Sequence, residues 1–217
     1  MNETAIYSHR FTEQELDMQR AFWAPICRFI EPYMSISGAT LDLGAGFCHF
    51  INNVKSGSKF ALDVNGVNLA RYARPEVKPL VCSGAQIPFS SESLDTVFAS
   101  NVYEHFHNQD DVASSFKEVW RVLRSGGRLL ILQPNFAYCF KEYFDFFDHR
   151  LAFTHRAMIE GLEISGFRII KVIPRFLPFT SKSSLPKAAW LVSLYLQFPL
   201  AWRLLGGQMF IVAEKVQ

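Results

Sequence analysis

The chain has 217 residues, 49% of them hydrophobic and 19% charged, with a net charge of +2 at pH 7. That length and composition fit one globular α/β domain with a sizeable core and exclude a disordered chain. The near-neutral balance gives no electrostatic case for a nucleic-acid partner, and no segment reaches the ~20 apolar residues that a bilayer-spanning helix needs. Residues 1–20 are polar and carry several acids, so no signal peptide is expected. Cys27, Cys48, Cys82 and Cys139 have neither metal nor disulfide spacing, which points to free thiols and a cytoplasmic setting.

Residues 1–10 read as a loose arm whose Tyr7 could fold over a bound ligand. Thr12 followed by Glu15 is a capping box. It opens a helix over 13–33 that carries Met18, Phe22, Ile26 and Phe29/Ile30 on one face, with a kink or break expected at Pro25. A strand over 40–43 runs into Gly44-Ala45-Gly46, and a helix over 47–54 comes behind. Glycine has no Cβ, so the backbone can turn sharply there and approach a ligand. The helix could then aim its free N–H groups at that ligand. The helix over 13–33 should pack near the mouth of this glycine site.

A second strand, 59–62, ends in Asp63, nineteen residues after Gly44. An acid ~20 residues beyond such a turn is placed to accept bonds from ribose hydroxyls; a lone Asp after a strand can also be a turn former. A helix over 65–74, a strand over 79–82 and a loop over 83–89 come next. The strand over 94–100 delivers Asn101-Val102-Tyr103-Glu104-His105-Phe106 at its carboxyl end. A helix over 110–123 buries Val112, Phe116, Val119/Trp120 and Leu123, then Ser125-Gly126-Gly127 leads to a strand over 128–133. This alternation predicts a doubly wound, mostly parallel sheet, in which ligands bind beyond the carboxyl ends of the strands. The glycine turn, Asp63, Ser83, Asn101–His105 and Asn135 all fall at those ends.

After the fifth strand, Tyr143-Phe144-Asp145-Phe146-Phe147-Asp148-His149 packs two acids, a histidine and four aromatics into seven residues. Asn135, Tyr143, Asp145, Asp148 and His149 are the substrate-side candidates, because aromatic faces and carboxylates suit a sugar. The aromatics read equally well as the core of a short helix with Asp and His at its ends. No metal site is assigned, since an Asp/His pair alone is too small a ligand set. A helix over 154–165 and strands over 167–173 and 208–214 complete the chain. About thirty residues intervene between the last two strands. Residues 188–202 of that insert carry no charge, with Trp190, Tyr195 and Trp202 along them, Lys187 and Arg203 flanking, and Pro199 as a kink. Burial against the domain is one reading of the insert. Contact of 185–205 with a bilayer interface, peripheral at the inner membrane, is the other.

The set of motifs resembles the class I S-adenosylmethionine-dependent methyltransferases of the type 11-like group. Asp42-Leu43-Gly44-Ala45-Gly46 resembles their first motif and Asp63 their ribose acid. Ile87-Pro88-Phe89, Ser93-Leu94-Asp95-Thr96-Val97 and Glu104-His105 resemble their LPF…SFDVV…EH run. Arg121-Val122-Leu123-Arg124-Ser125-Gly126-Gly127-Arg128-Leu129 resembles their turn into the fifth strand. The resemblance covers residues 39–133. It implies a Rossmann-like seven-stranded sheet and S-adenosyl-L-methionine held by Asp42, Gly44, Ala45, Gly46, Asp63, Val64, Ser83, Gly84, Ala85 and Asn101. Two positions depart from the pattern: Cys48 stands where a third glycine is common, and Ser83 where an Asp often meets the adenine amino group. An NAD site would need its third glycine at His49, which disfavours an oxidoreductase.

The implied reaction is in-line methyl transfer to a small-molecule or glycan acceptor, most naturally at oxygen. His105 is the candidate base, because imidazole ordinarily titrates near ~6.5, and Glu104 is the runner-up. Either residue can instead be structural. The whole pattern resembles a bacterial subset found with cell-surface polysaccharide genes, whose acceptors are commonly lipid-linked. The expected organisation is a single domain: arm and helix 1–38, cofactor core 39–133, and substrate side 134–217 with the apolar insert 174–206. The competing class is a catalytically inactive methyltransferase-fold module that binds a partner or membrane. The sequence leaves the oligomeric state open.

Overall fold

The computed structural model describes residues 12–179 and 189–216; Tyr7 and Lys187 lie outside them. Seven strands form one sheet among these residues: β1 Ala39–Leu43, β2 Ser58–Asp63, β3 Val77–Val81, β4 Leu94–Ser100, β5 Leu123–Pro134, β6 Phe167–Ile173 and β7 Gln208–Lys215. Their order is β3-β2-β1-β4-β5-β7-β6. The first five are parallel, and β7 lies antiparallel between β5 and β6. This is the mostly parallel, doubly wound sheet that the alternating pattern predicts.

The central strands read as near-continuous apolar runs because both of their faces are covered. Side chains alternate across a strand, and the core divides accordingly. Leu41, Val97, Ala99, Leu129, Ile131 and Ile211 face one side, where helices α4 Gln109–Val122 and α6 His155–Ile164 supply Phe116, Val119, Met158 and Leu162. Phe98, Leu130, Leu132, Phe210 and Val212 face the other. There α1 Glu13–Ile30, α2 His49–Asn53 and α3 Gly66–Tyr72 supply Ile26, Ile30, Phe50 and Leu69. Phe50 stacks on Phe98 with ring centroids 3.7 Å apart.

Several helix starts have a local chemical cause. Thr12 Oγ1 accepts from the Glu15 N–H at 3.3 Å while Glu15 Oε2 accepts from the Thr12 N–H at 2.8 Å, closing the capping box. Asn65, Asn108 and Thr154 cap α3, α4 and α6 by a side-chain oxygen that accepts from the N–H three residues on. The expected break at Pro25 does not occur: α1 runs through it to Ile30 and ends in a 3-10 turn at Glu31–Tyr33. Helix α2 is shorter than the 47–54 expectation, because Cys48 sits in the left-handed region with φ 57° and helical geometry begins only after it. The insert forms two helices, α7 Ala189–Leu196 and α8 Pro199–Leu205, with Pro199 opening the second rather than kinking one. A short helix α5 Phe136–Cys139 follows β5.

Candidate functional site

The sheet topology sets the place. Strand order reverses between β1 and β4, and a cavity of about 920 Å³ opens beyond their carboxyl ends. Asp42, Gly44, Ala45, Gly46, Asn101, Glu104, His105 and His149 all line it. Helix α1 forms its outer wall with Met18, Phe22, Trp23 and Ile26, as the sequence predicts, and Leu191, Tyr195, Phe198 and Leu205 of the insert form its far wall.

The glycine-turn end of the cavity is built mainly of backbone. Gly44 has φ 69° and Gly46 has φ 50°, conformations that a side chain strains. A Cβ on Gly44 would meet Val102 Cγ2 at 2.5 Å, whereas a Cβ on Gly46 would meet nothing within 4 Å and would project into open space. Gly46 is therefore the point where backbone can lie against a ligand. The turn's N–H groups are less available than the sequence suggests. Gly44 and Ala45 both donate to the Leu62 carbonyl, at 2.8 and 3.0 Å. The Gly46 N–H donates to Asp63 Oδ2 at 2.8 Å, and the Asn65 N–H to Asp63 Oδ1 at the same distance. Asp63 thus braces the glycine turn, and each of its oxygens keeps lone-pair capacity for a hydroxyl. Asp42 is fully buried, and burial pushes its carboxyl from the ordinary 3.8 to about 8. Burial likewise lowers His49, beside the turn, to about 4 and raises the Cys48 thiol to about 12.

Asp63, Val64, Ser83, Gly84 and Ala85 do not line the cavity. They sit around it at the carboxyl ends of β2 and β3: Val64 and Ser83 are exposed, and the Ser83 hydroxyl accepts from the Ala85 N–H at 3.3 Å. Asn101 follows β4 in the left-handed conformation, φ 52°, with its N–H bound to the Leu132 carbonyl at 2.9 Å.

The end beyond β4 is built of side chains. Glu104 and His105 lie in a 3-10 turn after β4. The Glu104 carbonyl accepts from the N–H groups of Arg150 and Leu151, at 2.8 and 3.1 Å, which pins the 143–151 loop against this turn. As a result His105 Nδ1 lies 3.1 Å from the Asp148 carbonyl oxygen and 3.6 Å from its Oδ2, and the His105 and His149 rings are 5.3 Å apart. The Glu104 side chain is wholly buried, neither of its oxygens meets a hydrogen-bond donor among the described residues, and burial raises its pKa. A ligating atom from each of Glu104, His105 and His149 lies within 4.8 Å of the others, a grouping that the sequence pattern does not assemble. Its signal there is only the adjacent Glu-His pair.

The remaining substrate-side candidates take other positions. The Asn135 amide is used internally: Nδ2 meets the Pro174 carbonyl at 2.7 Å and His155 Nδ1 at 3.0 Å, while Oδ1 accepts from the N–H groups of Ala137 and His155. Tyr143 is fully buried and donates to the Leu151 carbonyl, and Asp145 is exposed. None of the three lines the cavity. Phe146 and Phe179 do, and Phe179 carries no signal in the sequence pattern.

Residues 41–131 match the methyltransferase domain family. An uncharacterized protein of Methanocaldococcus jannaschii is 29% identical over 130 residues, covering 60% of this chain and 55% of that protein. A demethylmenaquinone methyltransferase of Corynebacterium glutamicum is 33% identical over 111 residues, covering 48% and 47%. The chain thus spans about half the length of these curated relatives. The solved structure of a geranyl diphosphate methyltransferase in complex with S-adenosylmethionine superposes with a TM-score of 0.65 at 15% identity, covering 89% of this chain and 85% of that one. The sheet order, the open space at Gly46 and the Asp63-braced turn fit such a cofactor. Residues 41–131 thus match a methyltransferase domain, and the described residues carry the Rossmann-like fold that solved S-adenosylmethionine-dependent methyltransferases share.

Proposed function

We propose that the protein methylates a hydroxyl oxygen of an amphiphilic acceptor, a lipid-linked glycan or a small molecule of similar character. The observation that carries this reading is the shape of one cavity. It runs from the glycine turn past Glu104, His105 and His149 to the apolar wall of Leu191, Tyr195, Phe198 and Leu205. Its volume of about 920 Å³ is near the top of the ~300–1,000 Å³ usual for small-molecule sites, room enough for donor and acceptor together. Bound at the glycine turn, S-adenosylmethionine supplies a methyl group activated by its sulfonium. Gly44–Gly46 and Asp63 fix the adenosyl end, with Asn101 beside it. His105, oriented through Nδ1 by Asp148, accepts the hydroxyl proton at its other ring nitrogen. Holding the hydroxyl in line with the methyl group can supply ~7–11 kcal/mol of the barrier.

The apolar wall supports an acceptor with a greasy portion. The relative named for demethylmenaquinone is consistent with that chemistry. The insert also supports a lipid-surface contact. Val192, Tyr195, Leu196 and Trp202 pack inward, whereas Trp190, Leu200 and Leu204 are 66–78% exposed beside Arg203. Among the described residues no helix is long and apolar enough to cross a membrane.

Calorimetric titration with S-adenosylmethionine, on the wild type and on Asp63→Ala, tests the donor end. Labelled methyl transfer to lipid-linked saccharides, free saccharides and quinols then tests the acceptor. The reading expects donor binding that is lost in the variant and transfer to the lipid-linked hydroxyl. Failure of the folded wild type to bind the donor overturns it in favour of a binding module. Transfer confined to free saccharides removes the amphiphilic part.

A further inference from the structure

We propose that Glu104, His105 and His149 form a site for a divalent transition-metal ion, open toward the acceptor side of the cavity. The three residues come from two segments that the sheet brings together, and their ligating atoms lie within 4.8 Å of one another. Metal–nitrogen and metal–oxygen bonds of ~2.0–2.2 Å draw ligand atoms to within ~4 Å of each other, so a shift of side chains alone completes the set.

Two further features point to a cation. The Glu104 side chain is wholly buried, lines the cavity, and offers two oxygens that meet no hydrogen-bond donor among the described residues. A carboxylate in that setting is strongly destabilised unless a positive charge joins it. His105 is held through Nδ1 by Asp148, at 3.1 Å to the carbonyl oxygen and 3.6 Å to the carboxylate. Metal-binding histidines are oriented in this way, by a carbonyl or carboxylate on the ring nitrogen opposite the metal. Two imidazoles and one carboxylate suit zinc, iron, cobalt or nickel better than magnesium or calcium, which prefer all-oxygen shells. Three protein ligands leave positions open for an acceptor oxygen.

The catalytic consequence, and only that, rests on the methyl-transfer reading. An acceptor hydroxyl binds the ion through one lone pair and its proton leaves to a cavity water. A remaining oxygen pair forms the new O–C bond as the C–S bond breaks and its electrons return to sulfur. With the ion bound, His105 is a ligand and not the base.

The test uses full-length, tag-free protein stripped with EDTA and titrated with Zn²⁺ by calorimetry and with Co²⁺ by visible absorption. The expected result is one ion per chain, bound at least tenfold more weakly in His149→Ala and in Glu104→Gln and unchanged in Asp63→Ala. Thermal melts establish that each variant folds. Because Glu104 lies in the core, the half-buried His149 position decides if Glu104→Gln does not fold. S-adenosylmethionine titrations on the same samples should show the reverse pattern: binding kept in His149→Ala and lost in Asp63→Ala. No ion bound at 1:1, or equal affinity in His149→Ala, overturns the proposal. One ion bound by a protein that ignores the methyl donor leaves the metal site standing and removes the methyl-transfer reading.

Discussion

The two ends of the cavity are made in different ways. The glycine-turn end consists of strand ends and a glycine turn, within residues 42–63, and its geometry is set by backbone N–H groups bonded to the Leu62 carbonyl and the Asp63 carboxylate. The end beyond β4 gathers side chains from residues separated by more than forty positions, and the loop that joins them is anchored on the Glu104 carbonyl. The first arrangement tolerates little change in residue type at its glycines. The second can be retuned one side chain at a time, so on the proposed function binding of the donor and choice of acceptor can vary independently.

Substitutions at the two ends should separate these roles. His105→Asn should lower turnover by ~10²–10⁴-fold, the range for a general acid–base residue, if the proton goes to the imidazole without a bound ion, with donor affinity within about threefold of wild type; a parallel loss of donor binding would merge the two ends. Asp63→Ala should weaken donor binding by ~10²–10⁴-fold in calorimetry, since two charge-assisted hydrogen bonds at ~1.5–3 kcal/mol each are at stake. The same variant also releases the brace on the Gly46 N–H.

Asp42 gives a pH signature to the glycine-turn end. Its folded-state pKa, raised by burial to about 8 from 3.8, means the folded protein holds a proton that the unfolded chain gives up. Stability from this group is complete below pH ~4 and is lost as pH rises toward ~8, by an amount on the order of a few kcal/mol. Urea midpoints at pH 5 and pH 8 should show that decline in the wild type and a flatter profile in Asp42→Asn.

Gly44→Ala should destabilise by ~1–3 kcal/mol, because φ is 69° and its Cβ would meet Val102. Thermal melting would read that loss. The smallest effect belongs to the outer face of the insert. Leu204→Ser should leave stability within ~0.5 kcal/mol, yet reduce co-sedimentation with anionic vesicles; unchanged sedimentation would leave the insert as a cavity wall only.

The same division explains what can be read from the sequence. Strands, caps and the glycine turn are legible because each is written in neighbouring residues: Thr12 with Glu15, Gly44 with Gly46, and the apolar run 94–100. Asp63 is legible from a fixed offset. The Asp148–His105 contact is not, because nothing local to either residue names the other. Asn135 and Tyr143 stand in the right region, but Pro174, His155 and Leu151 engage their polar groups from positions that only the folded sheet brings near. The length of α2 escapes the pattern because a left-handed Cys48 has no signature in residue type. Pro25 reads as a breaker, yet its helix is held by tertiary packing on Phe50 and Phe98.

Strand β7 has a consequence for how the molecule is made. Among the described residues β6 pairs only with β7, and the outer edge of β5 is covered only by β7. As the chain leaves the ribosome, β1 to β5 can assemble while β6 waits without a partner. Both gaps close at once when Gln208–Lys215 emerges. A stalled or shortened chain would therefore display an apolar β5 edge and an unpaired strand together, the kind of species that chaperones and proteases recognise.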